Sequence, residues 1–501
     1  MAITSNLFIL FVLGSLVLYY ICPKKFQWAM LLLISYAYYM YASVPALAFI
    51  LCSTLSTYAC GRWIEKLQKD GKTGKCALML AMLLNLGILG VLKYTNFVIT
   101  NINAVAHQHF SMVNFILPLG ISYYTFQTIG YLLDVYWKRI PAERHLGKYA
   151  LFVAFFPQLL QGPIGRYKTL ANQLFEGHAW SFHNIKYGLE RILWGFFKKM
   201  VLADWAAVYC DAIFGDPHKY AGAAAFGVLL YTVELYGNFA GGIDVMLGVA
   251  NMFGVNLDEN FKRPFFATSI TDFWHRWHIT LGTWMKDYVF YPLTLSKFMM
   301  KVGNGSRKAF GKKIGRNVPV AITNLIVFFI VGIWHGPTWN NIGWGLYNGV
   351  IIALSGFLAG SFRTWKKKLH INDKAFGYRA FMMLRTFVLM NLSWYFDCVD
   401  SVKTAWYMIV QSVTNFHPST LLTISSGKLG VAFTPYALLI LGVGCVILFI
   451  VSVIQERGVK MRDALSKLPF YAQFAIFAVL LICIGLLSPM AVARGFIYAQ
   501  F

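Results

Sequence analysis

Acidic side chains are scarce in this chain. Asp and Glu together number 20 in 501 residues, against 44 Lys and Arg, for a formal net charge of +24. All charged residues together make up 13% of the chain, about half the share usual in soluble domains. A sequence this poor in charge cannot clothe a water-facing surface of ordinary size, and no soluble domain of useful length is left between its apolar runs. Short alternating strands are missing, which excludes an outer-membrane barrel. The eight cysteines show neither CxxC spacing nor clustering, so no disulfide framework or zinc site is implied. Internal repeats are also missing, which weighs against the inverted-repeat architecture of many transporters.

Apolar sequence is what the chain has instead: 58% of the residues are hydrophobic. Runs fall at roughly 7–21, 27–43, 45–59, 77–97, 113–136, 149–164, 187–209, 222–254, 264–293, 318–334, 339–360, 378–397, 433–454 and 470–495. Several are shorter than the ~20 residues that span a bilayer. These are expected to be broken or re-entrant pieces, tolerated only where protein or a water-filled cavity covers the backbone. The predicted fold is therefore all-α and polytopic, one membrane-embedded unit over residues 1–501. Phe 42, Tyr 28 and Trp 15 suit interfacial belts and packed interhelical surfaces.

The basic residues do not form a nucleic-acid groove. They sit in short loops between apolar runs, as at Lys24-Lys25, 297–316, 363–368 and 457–467. That is the positive-inside pattern, and it makes those loops cytoplasmic. The first run precedes its first basic residue, Lys24, which is the wrong order for a cleavable signal. It reads as a first transmembrane helix with an outer N-terminus. Residues 205–221 and 397–428, poor in base, read as external.

His335 closes the uncharged run Val318 to Trp334. Seventeen helical residues rise ~25 Å, so the imidazole should lie well past the midplane of a ~30 Å core. An ionisable residue there is a functional-site hypothesis by default. It can be a structural histidine hydrogen-bonded between helices, or a general base, since a buried neutral imidazole can take a proton from a hydroxyl. His278 poses the same choice, beside Asp272, His275 and Arg276 and among Phe273, Trp274, Trp277 and Trp284. His275 and His278 stand three apart, but no third ligand has suggestive spacing, and no metal is expected. Glu234, Asn238 and Asp244 can pair with buried cations or line a polar path. Lys198-Lys199 can meet donor phosphates or snorkel to the interface.

Seven motifs, taken in order, resemble the membrane-bound O-acyltransferases. They are Leu117-Pro-Leu-Gly-Ile-Ser-Tyr-Tyr-Thr-Phe-Gln-Thr-Ile-Gly-Tyr-Leu-Leu-Asp-Val-Tyr136, Phe156-Pro-Gln-Leu-Leu-Gln-Gly-Pro-Ile-Gly-Arg166, Gly195-Phe-Phe-Lys-Lys199, Asn260-Phe-Lys-Arg-Pro264, Asp272-Phe-Trp-His-Arg-Trp-His-Ile-Thr-Leu281, Lys286-Asp-Tyr-Val-Phe-Tyr-Pro-Leu293 and Gly332-Ile-Trp-His-Gly336. The likeness covers about residues 110–350 and is to the bacterial branch of alginate and peptidoglycan O-acetylation and teichoic-acid D-alanylation proteins. It implies a central channel, with His335 as the catalytic histidine and His278 as its active-site companion. Trp334, Asp272, Trp274, His275, Arg276, Trp277 and Asn324 are the candidates for lining or supporting that channel. Lys198, Lys199 and Arg166 are the candidates for holding the donor. The chain departs from the family at Asn238-Phe-Ala-Gly-Gly-Ile-Asp244, where relatives often read Asp-Phe-Ser-Gly-Tyr-Ser-Asp, and at His275, where Arg or Asn is commoner.

The resemblance implies O-acylation of an extracytoplasmic polysaccharide, at a bacterial cytoplasmic membrane. The donor would be a cytoplasmic thioester, acetyl-CoA or an acyl carrier protein, and an extracytoplasmic partner protein would finish the transfer. D-alanyl transfer to teichoic acid is the alternative within the class. A lipid-linked sugar flippase and a non-catalytic scaffold are the alternatives outside it.

Overall fold

The computed structural model describes residues 2–423 and 435–489. Among these the chain is helical throughout, with no strand and a single isolated antiparallel bridge, Phe261 to Trp277. Six helices are long and apolar enough to cross a membrane: Val44–Lys69, Lys75–Ala106, Val318–His335, Trp339–Lys368, Tyr436–Glu456 and Phe470–Leu487. Large apolar side chains such as Leu10, Leu83, Val105, Phe449 and Leu486 stand exposed on outer helices. Lipid suits such a surface and water does not. The ends of the runs at 433–454 and 470–495, and of the external stretch 397–428, lie partly outside the described residues.

The shorter runs resolve into broken pieces sheltered by protein. Residues 149–164 form two short helices, Leu146–Ala154 and Phe156–Gln161, and Tyr149 through Phe156 are almost wholly buried. The run 264–293 is divided into Ile270–Arg276, Ile279–Met285 and a wide, π-type stretch at Lys286–Phe290. Local chemistry sets these breaks. Ser269 caps the first helix by accepting from the Asp272 amide at 3.0 Å. Trp277 and His278 then leave helical geometry before the chain resumes at Ile279.

Glycine lets two helix pairs approach to backbone contact. A Cβ at Gly195 would lie 2.6 Å from the Gly241 carbonyl, and one at Gly188 would lie 2.6 Å from the Gly248 carbonyl. These contacts clamp Phe182–Phe196 to Ala224–Met252. In the second pair, a Cβ at Gly332 would meet the Asn341 carbonyl at 2.5 Å, which draws Val318–His335 against Trp339–Lys368. Small residues at such crossings are how helices associate where no hydrophobic drive separates lipid from protein. The second crossing matters most, because it fixes the end of the helix that carries His335. Gly336 ends that helix in extended backbone, and Thr338 caps the next by accepting from the Asn341 amide at 3.2 Å.

Candidate active site

His335 and His278 meet in the interior, although 56 residues of sequence separate them. Trp334 joins them, with its ring centroid 5.1 Å from that of His335 and 6.0 Å from that of His278. Aromatic rings close the surroundings. Trp344 lies edge-on to His335 at 4.8 Å, and Phe239 lies edge-on to His278 at 4.9 Å. Phe126 stacks between Trp284 at 4.3 Å and Trp334 at 5.6 Å. His278 is 2% exposed and His335 9%. In such a dry setting hydrogen bonds are strong.

The tautomer of His278 follows from its neighbours. Its Nδ1 lies 3.2 Å from Asn260 Oδ1, and that same oxygen accepts the Thr280 backbone N–H and the Thr280 hydroxyl, each at 3.0 Å. A backbone N–H can only donate, so the shared atom is the carboxamide oxygen rather than its nitrogen. Nδ1 must therefore carry the proton, and Nε2 presents a lone pair. Thr280 Oγ1 in turn accepts from the Ile164 amide at 3.0 Å. Backbone bonds from Ile279 to the Asn260 carbonyl and from Lys262 to the Arg276 carbonyl pin the segment in place. They hold His278 in the left-handed region, φ 47° and ψ 52°, where a non-glycine residue carries about 1–3 kcal/mol of strain. Backbone strain held by its surroundings is common at active sites.

The end of the His335 helix is tethered from another span. Lys93 donates to the Trp334 carbonyl and Tyr94 donates to the Ile333 carbonyl, the latter at 2.9 Å. Both come from Lys75–Ala106. These carbonyls belong to the last turn of their helix, where no intrahelical partner exists.

A cavity of about 1330 Å³ opens beside this cluster. Helices Phe182–Phe196 and Ala224–Met252, the segment 256–263 and the helices Pro435–Glu456, Met461–Ser466 and Phe470–Leu487 line it. Its walls are rich in ion pairs. Arg191 bridges Asp244 at 2.9 Å and Glu259 at 2.6 Å, and Lys198 reaches Asp244 at 2.6 Å. Arg263 and Arg276 both engage Glu456, at 2.5 and 3.1 Å. Lys262, Lys460 and Arg462 also line the cavity and take no part in those pairs, and the acids Glu190 and Asp463 share the wall with them. Burial, and then the neighbouring Arg191 guanidinium, lowers the Arg462 pKa below its ordinary value. The lining contains neither histidine: Phe261 forms the wall, and Phe239 stands between it and His278, 5.0 Å from Phe261. The cavity thus ends one aromatic ring short of the site.

The remaining sequence candidates divide. Trp274 packs on Trp344 at 5.5 Å and so backs the wall behind His335, and Trp277 packs on Phe261 at 5.0 Å. Asp272 and Arg276 pair with each other at 2.9 Å, and Arg276 reaches Glu456, which fastens this segment to Pro435–Glu456. His275 is exposed, and the break before His278 separates the two rings that spacing alone would put on one helix face. Asn324 is partly buried, eleven residues before His335 on the same helix and so ~16 Å away along it. Lys198 faces the cavity, whereas Lys199 is wholly buried against Asp204. Neither lysine snorkels. Arg166 pairs with Asp287 at 2.9 Å and lies over the Tyr288 ring. No group of three or more potential metal ligands occurs among the described residues. Asp244, read from sequence as a partner for a buried cation or as part of a polar path, pairs with two cations and lines the cavity.

A buried histidine pair beside a basic cavity, inside a helical membrane protein, suits group transfer within a bilayer. Residues 141–304 match the model of the membrane-bound O-acyltransferase family, a stretch that contains Asn260 and His278 and ends before His335. A probable alginate O-acetylase AlgI of Pseudomonas putida is 35% identical over 359 residues, 71% of this chain and 70% of its own length. The peptidoglycan O-acetyltransferase of Helicobacter pylori is 32% identical over 402 residues, 75% and 71% of the two chains. The teichoic acid D-alanyltransferase of Bacillus subtilis is 30% identical over 266 residues, 51% of this chain and 62% of the relative. The chain belongs to the membrane-bound O-acyltransferase family, and its activity is acyl transfer.

Proposed function

We propose that the chain, as one membrane-embedded domain, moves a short acyl group from a thioester on the cytoplasmic side to a hydroxyl arriving from the other side. His335 is the general base, and His278 presents Nε2 to orient the reacting groups. The observation that carries this reading is the convergence of the two imidazoles in an aromatic enclosure one ring away from a basic cavity. The donor is acetyl-CoA. Its phosphates suit the cationic lining at Lys262, Lys460 and Arg462, and its reactive thioester reaches inward past Phe261 and Phe239. A charged carrier does not enter hydrocarbon, but a small neutral acyl group can be handed across. The loop carrying Arg457 and Lys460 lies at the cavity and is basic, which supports a cytoplasmic mouth. The same rule supports a bacterial inner-membrane orientation with an outer N-terminus.

The acceptor is a polysaccharide hydroxyl, in keeping with the alginate and peptidoglycan named for the O-acetylating relatives, and it is reached directly or through an extracytoplasmic partner protein. The exposed basic side chains of Lys297–Gly315 support a second donor, the thioester of an acidic carrier protein. The test is purified protein in liposomes, supplied with labelled acetyl-CoA or with an acyl carrier protein thioester. Transfer or hydrolysis should fall about 10²–10⁴-fold in His335→Ala, with the unfolding transition retained. A folded His335→Ala protein as active as the parent would end this reading. Turnover of only the carrier thioester would replace the donor.

A further inference from the structure

Lys93 is a buried ammonium, 8% exposed, in the middle of an apolar span. The hydrogen bond it makes is to the Trp334 carbonyl, and its Nζ lies 5.8 Å from the centroid of the Trp334 ring. None of the salt bridges of the described residues includes it. A buried charge without a counter-ion costs several kcal/mol, so its presence calls for a use. Capping the His335 helix is an insufficient one, because Tyr94 caps the adjacent carbonyl at 2.9 Å with no charge. Trp334 joins the two side chains: Lys93 Nζ bonds its carbonyl, and its ring centroid lies 5.1 Å from that of His335. A cation beside a general base is of use where an anion forms in the same step.

We propose that the Lys93 ammonium stabilises the anionic tetrahedral intermediate of acyl transfer. This rests on the reading of His335 as the base. The acceptor oxygen bonds to the thioester carbonyl carbon while its proton passes to His335, and the carbonyl π pair moves onto oxygen. That oxyanion receives N–H donors of Lys93 not committed to the Trp334 carbonyl. It then collapses, the C–S bond breaks, and the departing thiolate takes the proton back from the imidazolium. Preorganised donors aimed at such charge in a water-poor site act with little reorganisation cost.

The test compares Lys93→Met, Lys93→Gln, Lys93→Arg and Tyr94→Phe in the proteoliposome assay, with His335→Ala alongside. Lys93→Gln is neutral and still carries an N–H, although one bond shorter and with a carbonyl oxygen added, so it serves beside Lys93→Arg should Lys93→Met fail to fold. The expected result is a kcat loss of about 10²–10³-fold in both neutral variants, the size seen when one oxyanion donor is removed. Donor KM should move by less than about threefold, Lys93→Arg should restore most of the rate, and Tyr94→Phe should stay within about threefold of the parent. Lys93→Gln with the parent's kcat, while His335→Ala is inactive, would overturn this role and leave the base intact. So would an equal loss in Tyr94→Phe, which would assign the effect to the tether. An active His335→Ala protein would instead remove the reading beneath it.

Discussion

One carboxamide oxygen decides which nitrogen of His278 carries its proton. Asn260 Oδ1 gathers three donors, and the backbone N–H among them fixes the oxygen's identity. Asn260→Ala should therefore leave the Thr280 N–H and the His278 ring without that acceptor, at about 1–3 kcal/mol of stability. The tautomer would also be released, and kcat should fall by about tenfold or more for each ~1.4 kcal/mol of lost transition-state stabilisation, with donor KM little changed. Thermal unfolding in detergent and steady-state kinetics check the two halves. His335 was legible in the sequence because an ionisable residue ending an uncharged run stands out by itself. Asn260 opens a quoted motif, yet its role needs the pairing of 260–262 with 276–279, which residue types do not announce. Lys93 stands inside the run 77–97 and meets the same criterion as His335, but the partner that gives it a role lies 241 residues away.

Elements bring these residues together through glycine contacts and ion pairs. Gly332→Val should push Val318–His335 away from Trp339–Lys368, because the new side chain meets the Asn341 carbonyl. A cost of about 1–3 kcal/mol is expected for such overpacking, together with a loss of activity larger than the loss of fold, since the displaced end carries His335. Circular dichroism melts and turnover measured on one preparation separate these effects. Asp244→Ala removes the shared partner of Arg191 and Lys198. Arg191 keeps Glu259 but Lys198 loses its carboxylate, and breaking a buried pair costs about 3–5 kcal/mol, read as a lowered unfolding midpoint. Apolar periodicity and basic loops disclosed the spans, but not the helix break at His278. That break depends on a left-handed residue held by distant backbone bonds, and it separates His275 from the pair.

The whole molecule places a basic cavity on one side of an aromatic layer and the histidines on the other. Arg462→Ala should raise donor KM by about five- to tenfold, roughly the ~1 kcal/mol or more of one phosphate contact, with kcat nearly unchanged. A KM series against ionic strength, in which the parent is the more salt-sensitive, checks the electrostatic origin. The cavity was not legible in sequence because its wall joins residues near 190, 260 and 460 with the last described helix. The exposed basic loops, by contrast, were legible directly. The most direct measurement supplies labelled acetyl-CoA only to the Lys460 side of oriented proteoliposomes and traps an acceptor sugar on the opposite side. Labelled ester in the trapped sugar, lost in His335→Ala, is the predicted result. Label confined to the donor side, or transfer indifferent to that substitution, would contradict the account.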